Sequence, residues 1–397
     1  VGSHIAFVSI TGHGHVGPTL ALVAELVARG HRVTYAVGET LARLVAAAGA
    51  TPVPYDSFVA TNPVPPEMSP ETLAQVPLTY LRENEAALAA AAPALRDDRP
   101  DLVVHDQTMF AAGRLLTREF GVPGVRTFPT FAQHERFSVD ALAAKRYKAD
   151  PRHPKFTEFH LRLVQLLADN GLSGADVAAF LGRVEDRNIV FLPRSAQLAG
   201  DTFDDRFAFV GPCLDTTGQT EPFTPPPGDG PLVLITLGSA FNDKPDFFRS
   251  CVNAFAGQPE RAMLALGDID ADLGPLPPNV TAHRWLPFHS VLARADVCIN
   301  HGGFGTSLMA LHHRTPLIMV PQMVENEYAA ELLTELGVGR VLAPADATGE
   351  AALEQTRAVL ADEDAAASIT RFRDEMVAAG GAPRAADIVE HALKSAD

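Results

Sequence analysis

Cysteine is nearly absent from this 397-residue chain: there are three, Cys213, Cys251 and Cys298, odd in number and far apart. That excludes a disulfide framework, gives no zinc spacing and fits a reducing compartment. Basic residues are scarce too, 32 Lys and Arg against 48 Asp and Glu, for a formal charge of −16. Nucleic acid or an anionic membrane surface needs a basic stripe, so neither is expected as a partner. No apolar run approaches the length of a membrane span, and no basic-plus-apolar leader opens the sequence. The protein is therefore expected to be cytoplasmic, without stable membrane insertion. What the chain does have is apolar material, 47% of its residues, and a length that suits two α/β domains.

Strand and helix patterns alternate through the first half. Residues 5–10, 32–37, 50–53, 101–105, 122–127 and 189–192 read as short strands; helical spacing falls between them, as at Leu20, Val23 and Val27. Ser69-Pro70-Glu71 reads as a helix cap with proline in the first turn, leading into an alanine-rich helix that is packing material. Such alternation implies a parallel, doubly wound sheet. A stretch rich in proline and glycine at 215–230 reads as a linker, after which the alternation starts again. The expected division is a first domain at 1–214, the linker, and a second domain at 231–397.

The second half holds the strongest chemical signal. An apolar run ending at Asn300 meets His301-Gly302-Gly303-Phe304-Gly305-Thr306-Ser307, followed by an amphipathic segment and a second apolar run to Val320-Pro321-Gln322. Strand, glycine-rich turn and helix is how α/β proteins bind phosphate. Glycines let backbone N–H groups face the ligand, the helix N-terminus carries partial positive charge, and His, Ser and Thr add donors. Trp285 stands upstream, where it can stack a base. A nucleotide diphosphate is the expected ligand, and a single diphosphate needs no basic stripe.

The first half carries Gly12-His13-Gly14-His15-Val16-Gly17 between strand and helix, with Glu39 at the end of the second strand. Formally this is the dinucleotide fingerprint, so an NAD-dependent oxidoreductase stands as one reading. The other makes an imidazole the working group: a His at the carboxyl edge of a parallel sheet can take a proton at neutral pH. Asp106 ends another predicted strand at the same edge and suits the role of its partner; a helix-capping Asp and a surface His are the plainer readings. Two further readings stay open: an epimerase acting on the nucleotide's sugar, which shares the architecture, and a non-catalytic binding protein, which would keep the second half's contacts without needing His15 or Asp106.

With these motifs together, the chain resembles a family 1 glycosyltransferase, nearest to the bacterial macrolide-type antibiotic enzymes. The resemblance runs through His13-Gly14-His15-Val16-Gly17-Pro18, residues 101–106, Thr236-Leu237-Gly238-Ser239-Ala240-Phe241, Trp285-Leu286-Pro287, the His301 turn, Val320-Pro321-Gln322 and Gly380-Gly381-Ala382. It implies two facing Rossmann-like domains (the GT-B fold), with the last helix crossing back to the first. It also implies an inverting transfer in which His15 is the base and Asp106 orients it. Trp285 would stack on the base, and the Phe288 backbone would bond its edge. Ser239, His301, Gly303, Thr306 and Ser307 would hold the diphosphate, and Glu325 and Asn326 the sugar hydroxyls. No metal and no cofactor beyond a UDP- or dTDP-hexose is implied, and the enzyme is expected as monomer or homodimer.

The chain departs from the family pattern at three places. Phe288 stands where glutamine is frequent, and Glu325-Asn326 replaces Asp-Gln. Met309 stands where members using uridine donors carry a ribose-binding Glu. Because Met cannot accept those bonds, a dTDP-deoxyhexose joins UDP-glucose as the expected donor. For the acceptor, the proline-rich loop with Met68 and the aromatic residues Phe110, Phe128, Phe131 and Phe137 suit a large apolar molecule such as a macrolide or polyketide. Asp268-Ile269-Asp270 matches a metal-binding pattern but lies in a turn-rich loop and reads as a solvated turn. His312-His313 reads as a helix end.

Overall fold

The first strand, β1 (His4–Val8), is buried along its whole length, as a strand covered on both faces must be. The computed structural model describes residues 2–63, 69–214, 221–238, 242–269 and 271–394. The chain divides into two units, Val1–Leu214 with Ala379–Asp397, and Asp215–Ala378.

In the first unit β1 is joined by β2 (Arg32–Gly38), β3 (Thr51–Tyr55), β4 (Leu102–Asp106), β5 (Gly124–Phe128), β6 (Arg187–Val190) and β7 (Phe207–Phe209). All pairs are parallel, in the order β3-β2-β1-β4-β5-β6-β7. Pro52 and Pro54 lie in β3 at the sheet's edge, where a missing N–H leaves no ladder bond unmade. The order runs one way from β1 and the other way from β4. These two strands are neighbours, with Val8 opposite His105, and the crevice above them is the topological switch point of the sheet. The second unit repeats the plan with β8 (Leu232–Thr236), β9 (Arg261–Ala265), β10 (Val280–His283), β11 (Val297–Asn300), β12 (Leu317–Met319) and β13 (Gly339–Val341). Its order is β10-β9-β8-β11-β12-β13, again parallel, with the switch point between β8 and β11.

One expected boundary is corrected. The second unit ends at Ala378 rather than running to 397, because the final helix, Gly381–Lys394, belongs to the first unit. Its apolar stripe, Ala385, Ala386, Val389 and Ala392, is buried in one cluster with Leu22, Val23 and Leu26 of the first helix, His13–Ala28. Arg29 ties the two together, donating to Asp387 at 2.6 Å, Glu390 at 3.2 Å and the Pro383 carbonyl at 3.0 Å. Strand β7 was not expected: three residues are too few for a periodic signal. Among the described residues no helix is long and apolar enough to cross a membrane.

Candidate active site

The first helix starts at His13, directly after the β1 turn, with Gly12 as its extended N-cap. Val16, Thr19, Leu22, Val23 and Leu26 form its buried face, and Thr19 Oγ1 meets the buried Tyr35 hydroxyl at 2.8 Å. That anchoring rotates His15, one position before Val16, toward the end of β4, while His13 stays exposed. His15 Nδ1 lies 2.9 Å from Asp106 Oδ2, a contact between residues 91 apart in sequence. Asp106 is 2% exposed, and its other oxygen, Oδ1, accepts the Thr108 N–H at 2.8 Å and the Thr108 hydroxyl at 2.6 Å.

Both readings of Asp106 therefore hold, one oxygen each: Oδ1 caps the turn and Oδ2 meets the imidazole. Burial pushes this carboxyl up, but the charge and hydrogen bond of His15 and the two bonds from Thr108 outweigh it and leave it below the usual carboxylate range. As an ionised acceptor, Asp106 requires the proton of His15 on Nδ1, which makes Nε2 the basic nitrogen. Its sequence neighbour His105 is no rival: it is 1% exposed, and burial holds it neutral with a pKa pushed down to about 4.

The dinucleotide reading of residues 12–17 fails on packing. The third glycine of that fingerprint serves close helix–strand contact, yet Gly17 is exposed and an added Cβ would meet nothing within 4 Å. Glu39 is exposed as well.

In the second unit, the turns after β8 and β11 meet at the switch point. Asn300 is fully buried at the end of β11, and its Oδ1 accepts the Gly302 N–H at 2.6 Å. Gly302 has φ +79°, and there a Cβ would stand 3.1 Å from the Asn326 carbonyl. The His301 ring is wedged between two other glycines. A Cβ at Gly238 (φ +86°) would come within 2.6 Å of its Cε1, and one at Gly303 within 2.3 Å of its Nε2. Asn242 braces this arrangement by donating to the carbonyls of Gly238 and Leu266, both at 2.9 Å. Burial lowers the His301 pKa to about 4, so the ring is neutral at physiological pH.

Among the described residues, two buried polar atoms here have no hydrogen-bond partner, His301 Nδ1 and Asn326 Oδ1. Leaving such an atom without a partner costs about 1–3 kcal/mol. The helix Phe304–His312 begins at Gly303 with its N-terminus at the same place, favourable for anions. Alanine at Gly303 must displace the imidazole. Losing one hydrogen bond to a charged group, worth about 1.5–3 kcal/mol, should weaken nucleoside diphosphate binding about 10–100-fold by calorimetry.

The other expected residues fall into three groups. Thr306 is half-buried in the first turn of that helix, and Glu325 is half-buried in the first turn of Val324–Glu335 beside Asn326. Trp285 is 50% exposed after β10, and Phe288 opens the short helix Phe288–Leu292. Ser307 differs from expectation. It is fully buried, within 3.2 Å of Asn300 Nδ2, because its helical position turns it back onto β11; it braces the turn from inside. Phe128 and Phe131 are likewise fully buried and belong to the core, Phe128 beside Phe207, whereas Phe110 and Phe137 are half-buried. Ser239, Met68 and Asp270 lie outside the described residues, and Asp268 is paired with Arg284 at 2.6 Å. Among the described residues no cluster of three or more His, Cys, Asp or Glu side chains is placed to hold a metal. Sequence reasoning did not single out Asn300 or Asn242; a polar residue ending an otherwise apolar strand was the available signal for Asn300.

Comparison with known proteins agrees with this layout. Residues 264–394 match the family described as Erythromycin biosynthesis protein CIII-like, C-terminal domain. Oleandomycin glycosyltransferase of Streptomyces antibioticus is 37% identical over 98% of this chain and 91% of its own length. Demethyllactenocin mycarosyltransferase of Streptomyces fradiae is 36% identical over 99% and 87%. The crystal structure of CalG4, the calicheamicin glycosyltransferase, superposes with a TM-score of 0.86 at 42% identity, covering 99% of this chain and 98% of that one. These relationships replace the oxidoreductase and epimerase readings. With parallel-sheet units of the GT-B kind and near full-length similarity to antibiotic glycosyltransferases, the chain belongs to the family 1 glycosyltransferases.

Proposed function

We propose that the protein transfers a hexose from a nucleoside diphosphate sugar to a hydroxyl of an apolar natural product, with inversion and without a metal. The observation that carries this reading is the His15–Asp106 contact at 2.9 Å, with the carboxylate buried and its second oxygen already engaged. His15 Nε2 takes the proton of the acceptor hydroxyl as its oxygen attacks the anomeric carbon. The bond from that carbon to the diphosphate oxygen breaks on the opposite face, and the nucleoside diphosphate leaves. Asp106 stabilises the imidazolium so formed.

The donor is assigned to the second unit. His301, Thr306 and the backbone at Gly303 receive the diphosphate, with the helix N-terminus supplying the positive field that a metal provides elsewhere. Ser239 is assigned to the same phosphates, and Ser307 supports them indirectly through Asn300. Trp285 stacks on the base, the Phe288 backbone meets its edge, and Glu325 and Asn326 bind sugar hydroxyls. Met309 accepts no bond from a ribose 2′-hydroxyl, so a dTDP-hexose is favoured over a UDP-hexose. The acceptor is a macrolide- or polyketide-like molecule, in line with relatives named for oleandomycin and demethyllactenocin. Phe110, Phe137 and the loop containing Met68 are its proposed contacts.

Calorimetric titration with dTDP, UDP and NAD⁺, in buffer containing a chelator, tests the donor assignment. dTDP should bind at least as tightly as UDP, and NAD⁺ should give no heat of binding. Binding of NAD⁺ alone would overturn the reading, and a requirement for added divalent metal would remove the metal-free mechanism.

A further inference from the structure

Helix Pro70–Asp97 carries two consecutive polar side chains at its middle, Glu83 and Asn84, and both are 0% exposed. Burying a polar group is costly unless it is hydrogen-bonded, and Asn84 uses its whole amide. Its Nδ2 donates to the carbonyls of Tyr80 at 2.7 Å and Thr108 at 2.8 Å. Its Oδ1 accepts the N–H groups of Ala111 and Ala112, both at 3.0 Å. Three of these four partners lie just after Asp106. Thr108 is also the residue whose N–H and hydroxyl occupy Asp106 Oδ1 and leave Oδ2 for His15.

Glu83 reaches the other side of the switch point. Its Oε1 accepts the N–H of Thr11 at 3.3 Å, just ahead of the helix that carries His15. The same carboxyl accepts the Ser57 hydroxyl at 2.8 Å and the Val59 N–H at 2.9 Å. One buried turn of a single helix therefore holds both loops from which the reacting pair projects.

We propose that Asn84 is a positioning residue for the His15–Asp106 pair, acting through Thr108 on the Asp106 carboxylate, with Glu83 steadying the turn before His15. The inference rests on the assignment of His15 as the base. Asn84 touches no reacting atom; it sets where Asp106 Oδ2 stands and so which way the imidazole faces.

Asn84→Asp separates this role from simple helix capping, since a carboxylate still accepts from Ala111 and Ala112 but cannot donate to Thr108. Displacing a catalytic group by about 1 Å can cost on the order of 100-fold, so kcat should fall about 10–100-fold with nucleotide affinity unchanged. Coupled residues are non-additive, so in an Asp106→Asn background the same change should cost little more. Thr108→Val should lower kcat and Thr108→Ser restore it, which keeps the test open if Asn84→Asp does not fold. Wild-type kcat in folded Asn84→Asp, or a full additional loss in the Asp106→Asn background, would overturn the proposal; so would wild-type kcat in Thr108→Val. His15→Ala distinguishes the two levels. If that variant keeps turnover, the base assignment itself is wrong; if it loses turnover while Asn84→Asp and Thr108→Val do not, only this inference fails.

Discussion

His15→Ala should lower turnover about 10²–10⁴-fold, the range that one positioned general base contributes, and leave nucleoside diphosphate binding near that of the wild type. The expectation follows from the placement of the groups. The described residues of the cluster around His301, to which the diphosphate is assigned by the proposal above, all lie in the second unit. His15 belongs to the first unit, so under the proposed assignment its removal takes away the base and none of the donor-binding residues named in the second unit. Asp106 stays charged for its part in this role: burial raises its carboxyl, but the charge and hydrogen bond of His15 and the bonds from Thr108 hold it below the usual range. Steady-state kinetics beside calorimetry checks both halves. A matching loss of donor affinity would contradict the assignment of His15 to proton transfer.

Asp106→Asn should be comparably damaging, with kcat down by about 10³–10⁴-fold, because it reverses the tautomer of the base. Thr108 presents two donors to the Oδ1 position, so the amide oxygen of an asparagine must occupy that place. The amide N–H₂ then points at His15 Nδ1, which has to accept rather than donate. The proton moves to Nε2, and the nitrogen meant to receive the acceptor's proton already carries one. The imidazolium also loses the charge that stabilises it. Measuring kcat together with nitrogen NMR of the imidazole tests the argument: a full rate, or an unchanged Nδ1–H tautomer, removes Asp106 from the mechanism.

Much of the architecture was legible because its signals are local. Apolar runs buried on both faces revealed the parallel strands, and Ser69 with Pro70 announced the long helix, where Ser69 Oγ does accept the Thr72 N–H at 3.1 Å. The helix Phe110–Phe120 lies where helical spacing put it, ending in Gly121 at φ +61°. The strand and helix on either side of the His301 turn were readable for the same reason, and both lie where the pattern put them. Aromatic residues misled where burial and binding share one composition: Phe128 and Phe131 look like an acceptor surface and are core.

By itself, then, the sequence determined the two parallel sheets, the glycine-rich turn at His301, the candidate imidazoles and the family. These depend on patterns a few residues long or on motifs that stand together in the chain. Only the tertiary structure decided that Ser307 faces inward and that Asn84 reaches the Asp106 turn, and it supplied the His15–Asp106 distance and the place of residues 381–394 in the first unit that the resemblance only implied. Each of these depends on which strands and helices become neighbours. Strand order brings β1 beside β4 across more than ninety residues, and no local periodicity encodes that adjacency.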